Sequence, residues 1–375
     1  MSGSAANVET RPYVSWSLMN DFLTDAFAGV GVPRVDAAIC ADVLLESDRR
    51  GIESHGCNRF KPIYIDRIKA GIQKPVTDIL TLRETAATAV LDAQDGMGMV
   101  ASYRAMKRAI EKARQCGVSF VAVRNSTHYG IAGYWSSMAT DAGMIGINGT
   151  NARPSMAPTF GVENMLGTNP LTVGLPTDEP FPFVLDCATS ITQRGKIEYY
   201  ERIGRDTPAG QVITRDGGTS TDSAEILNAL TTGSAALVPL GGIGEEMAGY
   251  KGYGYATVVE ILSAALQSGS YLHALSGMRD GKKVPYALGH FFLAVDTGAF
   301  LGQEAFEKTA GDILRALRAS EKAPGRERIY TAGEKEYLAS RERSRGITIN
   351  KAVAAELAAV RDDLRLPRRF PWEEK

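Results

Sequence analysis

The sequence is poor in the residues that most readily advertise a function. Histidine occurs four times in 375 residues, cysteine four times and tryptophan three times. Cys40, Cys57, Cys116 and Cys187 lie far apart, with no C-x-x-C pair and no zinc-ligand spacing. That argues against a disulfide framework and a structural zinc site. It fits reduced thiols packed as small hydrophobes in a cytoplasmic protein. Neither charge is in excess: 42 basic and 43 acidic side chains leave a net charge of −1. Such a balance gives no electrostatic reason to bind nucleic acid or an anionic membrane. Long apolar runs are missing too. The longest uncharged stretch, residues 226–244, is interrupted by Gly, Thr, Ser, Asn and Pro, whereas a membrane span needs about 20 mainly apolar residues. The first 14 residues are small and polar, so no secretory leader is expected.

The rest of the composition is ordinary for a globular chain: 44% hydrophobic and 23% charged residues. The length suggests two domains. Leu18, Phe22, Leu23 and Phe27 mark a helix face, and residues 36–49 and 58–70 read as two further helices. From residue 86 onward the character is mixed. Strands are expected at 88–92, 118–123, 144–148, 171–175, 183–186 and 290–295, with helices at 99–115 and 131–141. Residues 214–219 carry hairpin-turn chemistry. Residues 257–267 are apolar nearly all round, which reads as a buried helix. After residue 300 the chain is helical and charge-rich, with helices at 304–317 and 351–364 and a polar surface crossing at 326–345. The expected organisation is a helical lobe, residues 1–85 completed by 325–375, and an α/β domain at 86–324.

The familiar nucleotide motifs fail. Gly96-Met-Gly98-Met-Val-Ala101 matches G-x-G-x-x-A between a strand and a helix. Yet residues 115–140 contain no Asp or Glu to hold a ribose. Gly252-Tyr-Gly254-Tyr-Ala-Thr257 reads better as a helix N-terminus offering N–H groups to an anion. There is no P-loop, H-E-x-x-H, G-x-S-x-G or EF-hand loop.

A few polar residues stand out against this background. His55, in Ser54-His55-Gly56, and His128, in a polar loop after the 118–123 strand, are placed to face a cleft. Imidazole can exchange a proton near neutral pH. Arg59 follows His55 by four residues and can clamp a carboxylate in its planar fork. Asp186 ends an apolar strand, where it can hold a ribose, orient an imidazolium or cap the next helix. Lys251, between glycines at a helix start, is either a solvated lysine or a phosphate ligand.

At these residues the chain resembles the malate/L-lactate/L-sulfolactate dehydrogenase family over roughly residues 12–340. The resemblance is carried by Ser54-His55-Gly56 with Arg59, His128-Tyr-Gly-Ile-Ala-Gly133, Met156-Ala-Pro158 and Leu166-Gly-Thr-Asn-Pro170. It continues through Leu185-Asp-Cys-Ala-Thr-Ser190, Arg194-Gly-Lys-Ile197, Pro239-Leu-Gly-Gly242, Tyr250-Lys-Gly-Tyr-Gly254 and Gly289-His-Phe-Phe292.

This resemblance implies an α/β (α+β) protein with a non-Rossmann cofactor domain built on a mixed, largely antiparallel sheet. It implies an NAD- or NADP-dependent oxidoreductase interconverting 2-hydroxy and 2-keto acids, and a homodimer. Other members of the family reduce cyclic imines or oxidise ureidoglycolate. A sensor that binds nucleotide or acid without catalysis is the reading from another class, and two retained histidines argue against it. Carried onto this chain, the resemblance makes His128 and His55 the acid/base candidates, with Asp186 in support, and puts Ser54 and Arg59 on the substrate. It puts Asn169, Asp186, Cys187, Ala188, Thr189, Ser190, Ile191, Thr192, Tyr250, Lys251, Gly333 and Glu334 on the cofactor. Ala332 stands where the family has Pro, and Gln193 where it usually has Ala. Residues 243–249 are longer and more acidic than usual, and Glu245 and Glu246 disfavour a 2′-phosphate, which points to NAD. Arg153, in Asn151-Ala-Arg-Pro-Ser-Met-Ala-Pro158, can meet the second anionic group of malate or sulfolactate. No metal is needed, because a histidine and an arginine can polarise the C–O bond.

Overall fold

A computed structural model describes residues 12–373. The chain divides into two compact units. One runs up to Gly71 and resumes at Glu336, and the other is Ile72–Lys335.

In the discontinuous unit, Ser15 caps helix Trp16–Gly29 by accepting the Leu18 N–H on its hydroxyl. Met19, Phe22, Leu23, Ala26 and Phe27 form the buried stripe of that helix. The second helix, Arg34–Arg49, buries Ala37, Cys40, Val43, Leu44, Ser47 and Asp48. The next stretch is not the single helix expected at 58–70. A 3₁₀ turn at Glu53–His55, a short α turn at Cys57–Arg59, a π-helical segment at Phe60–Ile65 and an α turn at Asp66–Lys69 succeed one another. The π segment presents Phe60 and Tyr64 to Phe27, with ring centroids 5.2 and 6.0 Å apart. Both stretches of chain close this core. Tyr13–Ser15 pairs antiparallel with Gly346–Thr348, and Phe370 packs edge-on against Phe22 at 4.8 Å.

The second unit is built on seven strands. Their spatial order is Leu80–Glu84, Thr88–Asp92, Val118–Ser126, Leu288–Asp296, Met144–Thr150, Leu171–Leu175 and Phe183–Cys187. Only Thr88–Asp92 and Val118–Ser126 are parallel, joined by helix Gly98–Cys116, and the other neighbours are antiparallel. The sheet is therefore mixed and largely antiparallel, as expected. Glycines let helices approach it closely. A Cβ on Gly146 would lie 2.7 Å from that of Ala139, and one on Gly174 would lie 2.9 Å from the Ser136 carbonyl, both on helix Ala132–Thr140. A Cβ on Gly289 would overlap the Ser263 carbonyl of helix Gly249–Ala264. A smaller core gathers Met156, Leu166, Ile197, Val212, Ile226 and Leu237.

Three expectations need correction. The unit boundaries fall at 71 and 335 rather than 85 and 324. Leu80–Glu84 pairs with Thr88–Asp92, and the Val184 N–H bonds the Ala332 carbonyl at 3.3 Å, which draws both flanking segments onto the sheet. Residues 214–219 form a tight turn with Gly217 at φ +82°, but strand Val212–Thr214 pairs with the distant Ala235–Leu237 instead of closing a local hairpin. The apolar helix is Gly249–Ala264 and is only half covered: Val258 is 48% and Ile261 55% exposed.

Candidate active site

Several motif segments converge within the second unit. The Thr189 amide donates to the Thr168 carbonyl, and its hydroxyl to the carbonyls of Thr168 and Asn169 at 3.1 and 3.0 Å. The Ile191 N–H bonds the Val238 carbonyl and the Leu240 N–H bonds that of Thr189, both at 2.9 Å. Against this ladder sits the start of helix Gly249–Ala264. A Cβ at Gly249 or Gly252 would overlap the carbonyls of Gly242 and Leu240, so only glycine permits the contact. The segments around Asn169, Asp186–Thr192, Pro239–Gly242 and Tyr250–Lys251, remote in sequence, thus form one surface. Thr189, Ser190 and Thr192 are buried in it. Ile191, Leu240 and Tyr250 are exposed on it, and Lys251 is exposed with its Nζ 5.9 Å from the centre of the Tyr250 ring. Apolar plates, an aromatic ring and a cation beside a helix N-terminus are chemistry that fits a dinucleotide.

Two expected cofactor residues are spent inside the fold. Asn169 is fully buried. Its Nδ2 donates to the Ala256 carbonyl and to Glu260 Oε2, and its Oδ1 accepts the Ala152 N–H at 3.2 Å. Glu334 is 1% exposed and takes Arg328 on one oxygen and the Thr331 N–H on the other. Gly333, at φ +90°, lies against strand Phe183–Cys187, where a Cβ would be 2.8 Å from the Pro182 carbonyl.

Asp186 caps a helix, though not the next one in sequence. Its Oδ2 accepts the Gly133 N–H at 2.6 Å at the start of helix Ala132–Thr140, and the Thr172 hydroxyl reaches Oδ1 at 3.4 Å. A carboxylate there also meets the positive end of the helix dipole. The link anchors the loop that carries His128. Within that loop the His128 Nδ1 accepts the Gly130 N–H at 3.3 Å, so the neutral ring carries its proton on Nε2. On the other side of the loop, the Thr127 hydroxyl donates to the Gly96 carbonyl and accepts the Gly98 N–H. This accounts for Gly96-x-Gly98: a Cβ on Gly98 would overlap the Thr127 carbonyl. Tyr129, next to His128, stacks on His290 with centroids 4.7 Å apart, and His290 Nδ1 is held by the Thr150 hydroxyl at 2.7 Å. Burial holds His290 neutral, with its pKa lowered to about 3. Arg153 is exposed, with no carboxylate partner among the described residues.

In the other unit, Ser54, His55 and Arg59 form one turn. The Ser54 hydroxyl and His55 Nδ1 are 3.0 Å apart, and Arg59 Nε donates to the Ser54 carbonyl at 2.8 Å. Desolvation, with the Arg59 charge as the second cause, lowers the His55 pKa to about 4. The ring is therefore neutral at working pH.

Sequence reasoning missed Asp48. It is buried under this turn, and its Oδ2 accepts the Cys57 N–H at 2.9 Å. The signal that was available is periodicity, because Asp48 falls four residues after Leu44 on the apolar stripe of its helix. His290 was noted only as part of a motif, since pairing across strands cannot be read from one segment.

With this geometry in place, comparison with known proteins is direct. Residues 14–358 match the malate/L-lactate dehydrogenase family. Malate dehydrogenase of Pyrococcus horikoshii is 42% identical over 338 residues, 90% of this chain and 91% of that protein. L-sulfolactate dehydrogenase of Methanocaldococcus jannaschii is 37% identical over 92% of this chain and 95% of its own length. The crystal structure of malate dehydrogenase from Entamoeba histolytica superposes with a TM-score of 0.93 at 41% identity, covering 96% of this chain and all of that one. The chain belongs to the malate/L-lactate dehydrogenase family. It shares with that family the mixed α/β fold and the class of reaction, dehydrogenation of a hydroxy acid.

Proposed function

We propose that the protein interconverts malate and oxaloacetate with NAD. The Ser54–Arg59 turn carries this reading. It sets a neutral imidazole beside a guanidinium whose two terminal nitrogens have no partner among the described residues. Arg59 would hold the C1 carboxylate through those nitrogens. With His55 Nδ1–H donating to Ser54, its Nε2 would take the hydroxyl proton of malate. Binding of the substrate anion offsets the Arg59 charge that depresses His55, so the imidazole becomes a stronger base when substrate is present. His128, with its proton on Nε2, is the other acid/base candidate. Arg153 would take the second carboxylate, the group that separates malate from lactate.

NAD would be held by Asp186–Thr192 together with Tyr250 and Lys251, and when bound it supplies the two-electron acceptor. Asn169 and Glu334 would act indirectly, by fixing the segments that touch the cofactor. Glu245 and Glu246 on the approach to helix Gly249–Ala264 favour NAD over the more highly charged NADP. A homodimer accords with the exposed Val258 and Ile261, and a reducing cytoplasm with four free thiols.

The test is turnover. Purified protein is supplied with NADH or NADPH and, separately, oxaloacetate, pyruvate, sulfopyruvate or piperideine-2-carboxylate. Oxidation of NADH fastest with oxaloacetate is the expected result, and turnover confined to the imine would replace the reaction. His55→Asn should lower kcat by ~10²–10⁴-fold while NADH binding is kept. A loss of that size in His128→Asn alone would assign the proton to His128.

A further inference from the structure

We infer that Asp48 is a positioning residue for substrate binding: its buried carboxylate is the seat on which the Ser54–Arg59 turn rests. The inference depends on the roles proposed for His55 and Arg59. Asp48 ends the buried face of helix Arg34–Arg49. Its Oδ2 accepts the Cys57 N–H at 2.9 Å, midway between His55 and Arg59. Gly56 lies directly over the carboxylate, where a Cβ would overlap Oδ1, Oδ2 and Cγ together. The turn and the acid are thus in contact on two sides, and no other residue type fits position 56 without moving them apart.

The seat is braced from behind by Arg343. One guanidinium nitrogen donates to the Asp48 carbonyl at 2.5 Å, and another bonds the Glu53 carboxylate at 2.7 Å, one residue before Ser54. The Arg343 carbonyl in turn accepts the Trp16 indole N–H. Both ends of the turn, Glu53 and Cys57, are tied to Asp48 or to its brace. An error of a fraction of an ångström here moves His55 and Arg59 together, and misplacement on that scale is costly to catalysis.

The groups facing the Asp48 carboxylate are the Cys57 thiol and amide, the Glu53 carboxylate and the Arg343 guanidinium. Burial dominates among them and raises Asp48 to about 7, with Glu53 adding to the rise and Cys57 and Arg343 opposing it. Burial also pushes the Cys57 thiol well above its usual range, so the thiol stays protonated and can donate to Asp48. Loss of the Asp48 proton near neutrality strengthens the bond from the Cys57 amide and tightens the turn. Substrate affinity is therefore coupled to the state of a residue that does not touch substrate.

The experiment pairs Asp48→Ala with Asp48→Asn in the full-length protein. Alanine removes the acceptor, and it should raise KM for oxaloacetate roughly tenfold or more while leaving KM for NADH within about twofold. Asparagine keeps an oxygen for the Cys57 amide and should recover most of that loss, but without the change in kcat/KM near pH 7. A second readout needs no turnover. The protein has four histidines, so the carbon-bound ring proton of each is resolvable by NMR, with His55 assigned through His55→Gln. His55 itself titrates at about 4. An inflection of its signal near pH 7 that disappears in Asp48→Asn is the expected result. An identical His55 titration in both proteins, or an unchanged oxaloacetate KM in Asp48→Ala, would overturn the inference. If no hydroxy acid is turned over but the Asp48-dependent inflection is present, the functional reading fails and the positioning role stands.

Discussion

At the scale of single residues, the chemistry divides into side chains that are available and side chains that are spent. Arg59 offers its terminal nitrogens, whereas Asn169 and Glu334 have every oxygen engaged inside the fold. Arg59→Lys should raise the substrate KM with a smaller change in kcat, because an ammonium cannot reproduce the two-pronged grip. An unchanged KM across the panel of keto acids would remove Arg59 from substrate binding.

His290 and His55 make a second prediction. Their folded pKa values, about 3 and about 4, lie below the ordinary 6.5. Between those limits the unfolded chain binds more protons than the native one, so stability falls as the pH is lowered through that window. The slope reaches about 1.4 kcal/mol per pH unit for each group. Asp48 contributes with the opposite sign. Its pKa is raised from 3.8 to about 7, so the native state holds the extra proton between those values, and stability falls as the pH rises through that range. Asp48→Asn should unfold at a higher denaturant concentration than the native protein at pH 8, with the gap closing toward pH 4.

Residue-scale legibility tracked distance along the chain. Ser54, His55 and Arg59 were readable because a short local turn brings them together. Asp48 was hidden because its partner, the amide of Cys57, is backbone and carries no sequence signal.

Among the elements, strands were the most legible. The middles of Val118–Ser126 and Leu288–Asp296, at 119–123 and 291–294, are largely buried and read as mainly apolar runs. The π-helical segment Phe60–Ile65 was not legible. Its period differs from 3.6 over too few residues to disturb the pattern, and it is held by the packing of Phe60 and Tyr64 on Phe27. Helix Gly249–Ala264 misled for another reason: an apolar face signals burial without saying against what. At this scale the glycines give the clearest test. Gly289→Ala would force a methyl into the Ser263 carbonyl, and should cost about 1–3 kcal/mol or more, visible as a lowered melting temperature. Gly254→Ala, with no atom within 4 Å of the added carbon, should leave the melting temperature unchanged or higher.

For the whole molecule, the exposed flank of helix Gly249–Ala264 bears on assembly. Tyr255, Val258 and Ile261 leave apolar surface in water that a second copy would cover. Sedimentation should report a dimer, and Ile261→Lys should shift it toward monomer. A native protein that sediments as a monomer at all accessible concentrations would rule the dimer out.

The pairing of Tyr13–Ser15 with Gly346–Thr348 has a consequence in time. Trp16 and its partner Arg343 are separated by 327 positions, so at ribosomal speed the first helices wait roughly 15–65 s for the strand that completes their lobe. Throughout that interval Phe22 and Phe27 lack their final covering, and by its end Ile72–Lys335 has every strand of its sheet. The nascent chain thus carries an unfinished, sticky leader ahead of a domain able to fold. Newly made protein should depend most on chaperones for its earliest residues.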